Sequence, residues 1–223
     1  MLEALSLVHA ARVKMVVLTS MVFLGAFLLF GMEPLIGRLL TPLLGGAAHV
    51  WLICLMFYQA MLFVGYFYAH LFAKKLNAWH LAILVLPLFT LPFDIQHLPD
   101  IGAPISRLLL VLCMHASLPF IVLSTTAVVA QVWLSESSMG KEHDPYPLYA
   151  ASNAGSFAAL LGYSFLIEPL MGVRLQSISW TAAYLVYVVL ACLSCFLLCG
   201  GKKFPRRQLK SRLPPDPFPG LFI

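Results

Sequence analysis

The chain has 223 residues, of which 61% are apolar and 10% are charged, and its mean hydropathy is +0.91. A soluble domain carries roughly 45–50% apolar and about 25% charged residues. The composition therefore excludes a soluble globular protein and indicates an integral membrane protein. The formal net charge of +5 does not indicate nucleic-acid binding, because the basic residues fall in predicted loops and in the C-terminal tail.

Apolar runs predict an all-α polytopic bundle of about six transmembrane helices. The first run follows Arg12 and Lys14, which adjoin a full-length span as in an uncleaved anchor. The third run is short and contains Pro87 and Pro92, whereas the fourth is long and contains Pro119. The transmembrane domain covers 1–200, and its predicted spans are 15–33, 50–73, 79–93, 105–134, 147–169 and 176–199.

The distribution of basic residues orients this bundle. With the N-terminus inside, all 14 basic residues except Arg38, Arg107 and Arg174 fall on the cytoplasmic side. Splitting the fourth run into two spans would place the basic tail outside, so we predict one kinked span and two cytoplasmic termini. The tail, 201–223, is basic and proline-rich. It predicts attraction to anionic lipids and either disorder or docking of a partner.

One octapeptide frame, F-x-x-E-P-L-x-G, occurs twice, at Phe30–Gly37 and Phe165–Gly172. Both copies fall at the outer ends of predicted outward-running spans. Each proline disfavours a regular helix through the preceding glutamate, which would leave that carboxylate at a negative helix C-terminus. An arginine five or six residues later would neutralise it. The predicted pairs are Glu33 with Arg38 and Glu168 with Arg174.

A binding site is the alternative interpretation of these glutamates. A carboxylate beside hydrocarbon is costly unless it is paired, hydrated or functional, so the two copies would form an outward-facing site for a cationic ligand. Amides within the spans would contribute to its lining. Asn153, however, adjoins Gly155 and Ser156, and small residues also indicate close helix packing. The candidate ligand-binding residues are Glu33, Arg38, Gln59, Asn153, Glu168 and Arg174.

The segment 34–49 lies between the first two predicted spans. It is too apolar for a free loop and too short and broken to span a bilayer. We therefore predict an interfacial or re-entrant helix that is closed by Gly45 and Gly46.

Cysteines and histidines provide little support for a cofactor. Cys192, Cys195 and Cys199 share one stripe of the last span, where packing is expected instead of metal or redox chemistry. His115 is a weak haem candidate, because no second axial ligand is predicted at a matching depth. The chain has no catalytic or metal-ligand motif, so we expect neither a cofactor nor an enzyme.

Several short motifs agree in order with a known family. The chain resembles the membrane domain of fused MFS/spermidine-synthase-like bacterial proteins over roughly residues 18–198. The resemblance implies half of a major-facilitator-like fold in a bacterial inner membrane. Such proteins usually continue into an aminopropyltransferase domain, which has no counterpart here, so polyamine synthesis is not implied. The matching segments include Gly25–Phe30, Glu33–Leu40, Gly65–His70, Tyr146–Ser156 and Phe165–Pro169.

Two functions remain open at this point. The first is a transport or small-ligand-binding module that works as a homo-oligomer or with another membrane subunit, since internal repeats in transporters often frame a site. The second is a structural or accessory subunit that anchors a larger membrane complex, for which the small size and the proline-rich tail argue. A haem-bearing electron carrier is a third and weaker interpretation. We favour the first.

Overall fold

The computed structural model describes residues 2–72, 78–95, 102–137 and 144–199, with side chains described at all of these except 2–7, 78, 79 and 199. All regular elements in these ranges are helical. They are α1 (Leu2–Leu44), α2 (Ala48–Phe72), α3 (Ala78–Val85) with the 3₁₀ turn Leu86–Thr90, α4 (Pro104–His115), α5 (Ser117–Ser124), α6 (Thr126–Glu136), α7 (Tyr146–Gly162) with the π turn Tyr163–Ile167, α8 (Glu168–Leu170) and α9 (Val173–Cys199).

Among the described residues, five helical segments are long and apolar enough to cross a bilayer. The prediction of an all-α polytopic membrane bundle is confirmed. The third predicted span is the exception, because its helical part is short and consists of α3 and the 3₁₀ turn that ends at Thr90. The five segments are Val8–Leu44, Ala48–Phe72, Ser117–Glu136, Tyr146–Leu170 and Val173–Leu198.

The contacts between helices fix their directions. α1 and α7 run parallel, since Phe23 lies against Gly155 and Pro34 against Tyr163. α9 runs antiparallel to α1, because the Trp180 indole donates to the carbonyl of Leu28 and the Tyr187 ring lies against Gly25. The first and fifth predicted spans therefore point the same way, as the sequence predicts.

The short third run also passes along the bundle. The Tyr184 hydroxyl donates to the carbonyl of Leu84 (2.9 Å), and the Ser177 hydroxyl donates to that of Phe93 (2.8 Å). The chain from 84 to 93 therefore runs antiparallel to α9. It provides the pass needed between α2 and the fourth run, although its helix is too short for a regular span.

The first helix departs from the prediction. α1 continues through Pro34 and Pro42 to Leu44, so segment 34–49 forms no separate interfacial helix. Prolines are tolerated inside membrane helices where neighbouring groups compensate for the disturbed hydrogen bonds. The predicted closure is confirmed, because Gly45 adopts φ = 72° and its N–H bonds the carbonyl of Thr41 at 2.9 Å.

The fourth run is broken in two places, at Ala116 and at Thr125. The hydroxyls of Ser124, Thr125 and Thr126 each donate to the carbonyl three residues earlier, at 2.7 Å. Such bonds compete with the helical backbone pattern. The single kinked span predicted over 105–134 is thus shorter: α5 and α6 form a 20-residue span, and α4 is a separate apolar helix.

Small residues allow α7 to pack closely on α1. Ala151, Gly155 and Ala159 are buried at four-residue spacing. A Cβ at Gly155 would collide with the main-chain carbonyl of Phe23. Close packing therefore explains this glycine, as the sequence predicts, whereas Asn153 is exposed and does not take part in the packing.

Candidate functional site

The two octapeptide copies meet at one end of the bundle. Arg38, next to the first copy, donates from Nη1 to the main-chain carbonyl of Glu168 in the second copy at 2.8 Å. The Tyr163 hydroxyl lies 3.3 Å from the carbonyl of Pro34. Each copy is therefore bonded to a residue that flanks the other copy, across about 130 positions of sequence.

This arrangement corrects the predicted local ion pairs. α1 is helical through both Glu33 and Arg38. Five helical positions correspond to about 140° around the axis, so the two side chains point in different directions. Arg174 is exposed in the first turn of α9. Within the described residues, neither Glu33 nor Glu168 forms an ion pair with its predicted arginine.

A buried amide side chain is hydrogen-bonded to the second copy and to the tyrosine that precedes it. Gln176 accepts a hydrogen bond from the Tyr163 hydroxyl (2.9 Å) and donates to the carbonyl of Met171 (2.8 Å). It therefore satisfies a carbonyl at the end of α8 and fixes the orientation of the tyrosine. No motif singles out Tyr163. A glutamine in the first turn of an apolar span is, however, a sequence signal for an internal hydrogen bond.

Between the copies lies a cleft of ≈ 550 Å³, which we call the motif cavity. Its lining residues carry a guanidinium, a carboxylate, hydroxyl groups and an indole ring, and they include two prolines. Such a mixture suits a small polar ligand. Its principal polar and aromatic lining residues are Arg38, Thr41, Trp51, Tyr163, Ser164 and Glu168.

The glycine of the first copy helps to shape this cavity. A Cβ at Gly37 would collide with the indole ring of Trp51. Glycine at this position therefore lets the indole ring lie directly against α1. Gly172, the equivalent residue of the second copy, has no atom within 4 Å of the place where a Cβ would lie. It follows the end of α8 instead, so the two glycines have different roles.

The motif cavity brings together only part of the predicted ligand-binding set. Arg38 and Glu168 line it, whereas Glu33, Gln59, Asn153 and Arg174 do not. Glu33 is half-buried on α1, Gln59 and Asn153 are exposed on α2 and α7, and Arg174 is exposed on α9.

The haem candidate and the cysteines form no centre in the described part of the chain. His115 is half-buried at the end of α4, and its Nδ1 lacks a hydrogen-bond partner there. No three or more of the described His, Cys, Asp and Glu side chains lie together as metal ligands would. Cys195 is buried while Cys192 is exposed, so these two do not share one environment. The basic tail, 201–223, lies outside the described residues.

Fold and site together define a polytopic all-α membrane protein with a cavity of mixed polar and apolar lining between two repeated motifs. Comparison with protein families, curated proteins and solved structures gives no match for this chain.

Proposed function

We propose that this chain is a non-enzymatic small-ligand-binding module that serves in transport, and that its ligand occupies the motif cavity. The observation that carries the proposal is the junction of the two octapeptide copies through Arg38 and Glu168. Internal repeats in transporters often frame a substrate site. Here the arginine that follows the first repeat and the glutamate of the second repeat line one cleft.

The opposite charges of Arg38 and Glu168 change the class of ligand that we expect. A purely cationic ligand would be attracted by Glu168 but repelled by Arg38, which has no carboxylate partner among the described residues. A small zwitterion meets both groups. Its ammonium would lie near Glu168 and the Trp51 ring, and its anionic group would accept the remaining Arg38 N–H bonds.

The resemblance to the membrane domain of fused MFS/spermidine-synthase-like proteins supports the same proposal. It implies half of a major-facilitator-like bundle in a bacterial inner membrane. The basic residues favour cytoplasmic termini, which would place the motif cavity on the outer side. A half-bundle would work as an oligomer or with a partner chain.

The proposal is tested by ligand binding to the purified protein in nanodiscs. Titration calorimetry would compare the standard amino acids with putrescine as a dication and succinate as a dianion. We expect a zwitterion to bind best. We also expect Arg38→Gln and Glu168→Gln each to weaken its binding by about tenfold or more, because each removes a charge-assisted contact.

The repeat itself supplies matched controls. Arg174→Gln and Glu33→Gln change the corresponding charges of the other copy outside the motif cavity, so they should leave affinity within about twofold. Binding of none of the probes, or equal losses in all four variants, would refute this site. Uptake of the best ligand by proteoliposomes then separates transport from binding alone.

A further inference from the structure

The exposure of α7 conflicts with its composition. The span Tyr146–Leu170 has a mean hydropathy of 1.2, against 1.7 to 2.3 for the other four, and only 22% of its most apolar part is buried. Lipid favours the opposite arrangement, in which the most exposed helix is the most apolar. The span Val173–Leu198 meets that expectation, because its mean hydropathy is 2.3 and 28% of its most apolar part is buried.

Asn153 is the one amide side chain on α7, and an amide facing lipid without a partner is costly. It lies about 200° around the helix from both Ala151 and Gly155, so it points away from the packing contact with α1. It is exposed, and it forms no hydrogen bond to another described residue. Seven residues separate it from the start of α7 at Tyr146, which places it about 10 Å along the helix.

The residues around Asn153 form one continuous strip, which we call the α7 face. Tyr146, Tyr149 and Phe157 are 74%, 49% and 66% exposed, and Leu160 continues the strip at 49%. The spacing from 146 to 160 is three or four residues throughout. A single asparagine within such a strip is the pattern that sets the register of paired helices.

We propose that the α7 face packs against the α7 face of a second copy about a twofold axis, with Asn153 bonded to its counterpart. Two copies with the same orientation in one membrane are related by a twofold axis along the membrane normal, so equivalent residues lie at the same depth and those nearest the axis face each other. An amide carries both a donor and an acceptor, so two asparagines satisfy each other without any other polar group. A different partner would need its own polar side chain at the same depth.

The surface beside the α7 face also leaves room for a second helix. Ala150 and Ala154 stand next to Asn153, and with Thr19 and Ser20 of α1 they line an open groove of ≈ 700 Å³. Small residues permit close approach of helices in membranes. The groove thus extends the α7 face without adding a charge. This proposal does not depend on a ligand in the motif cavity.

Subunit counting by single-molecule photobleaching tests the proposal on the labelled full chain in liposomes of decreasing protein density. Wild type should show two-step bleaching that declines on dilution. Asn153→Leu should weaken dimerisation about five- to tenfold, because the amide pair is lost. Asn153→Gln, which keeps the amide, should remain within about threefold.

Gln59→Leu is the matched control, since it removes an exposed amide from another span. It should leave dimerisation unchanged. The proposal is overturned if wild type is monomeric at every density, if Asn153→Leu dimerises as wild type does, or if Gln59→Leu dissociates equally. Isolation of wild type only as a stoichiometric complex with an unrelated subunit would likewise overturn it.

Discussion

At the scale of single residues, the interior tyrosines differ in how their hydroxyls are satisfied. Tyr184 donates to the carbonyl of Leu84, and Tyr187 shares a 2.8 Å hydrogen bond with Thr126. Tyr58 is 3% exposed, yet its hydroxyl has no hydrogen-bond partner among the described residues. A buried hydroxyl without a partner loses its hydration and receives no protein bond in return.

This difference predicts opposite effects of the same substitution. Tyr58→Phe keeps the ring that packs on Phe120 and removes an unsatisfied group, so it should stabilise the protein by about 1 kcal/mol. Tyr187→Phe removes a bond and should destabilise it by a similar amount. Thermal unfolding in detergent measures both. A loss of stability in Tyr58→Phe would mean that its hydroxyl has a partner after all.

At the scale of helices, the sequence correctly predicted the positions of those helices that local hydrophobicity determines. The runs at 50–73 and 176–199 agree closely with α2 and α9. The predicted end of α1 near Pro34 was wrong. The rule that proline ends helices assumes an exposed helix whose lost hydrogen bond is not compensated. The breaks in the fourth run depend on consecutive hydroxyls at 124–126, whose rotamers the hydrophobic pattern does not specify.

The contact between α1 and α7 predicts a strong effect of one added methyl group. Gly155→Ala would place its Cβ against the Phe23 carbonyl, which is main chain and cannot rotate away. We expect a loss of about 1–3 kcal/mol as the helices separate. Gly162→Ala, with nothing within 4 Å, should be neutral or stabilising through helix propensity. Unfolding in mixed detergent would compare them, and equal losses would contradict the packing argument.

At the scale of the whole molecule, the sequence predicted that the two octapeptide copies lie at the same end, but not how they join. The orientation came from charge counting, which needs no tertiary information. The hydrogen bond from Arg38 to Glu168 depends on the rotation of α1 against α7, which contacts throughout the bundle determine. Such long-range geometry does not follow from a local motif, so the local ion pair was the wrong prediction.

Helix directions at this scale also decide how often the chain crosses the membrane. Tyr58 packs on Phe120 and Gly65 lies against Ser124, so α2 and α5 run parallel. Two consecutive long spans that point the same way require a return between them. The third run supplies this return pass. When successive passes alternate in direction, the first and fifth passes, α1 and α7, point the same way. Six crossings are therefore expected, although only five helices in the described part of the chain have the length of a regular span.

Cysteine labelling on intact bacterial cells tests this threading. In a background with the native cysteines replaced by serine, a membrane-impermeant maleimide should label Gly46→Cys and Ala103→Cys from outside. His9→Cys and Asp144→Cys should react only after permeabilisation, because the positive-inside rule predicts that the side with most basic residues faces the cytoplasm. All four native residues are exposed. If Ala103→Cys instead reacts together with His9→Cys, the third run does not cross the membrane, and α1 and α7 are not parallel in the bilayer.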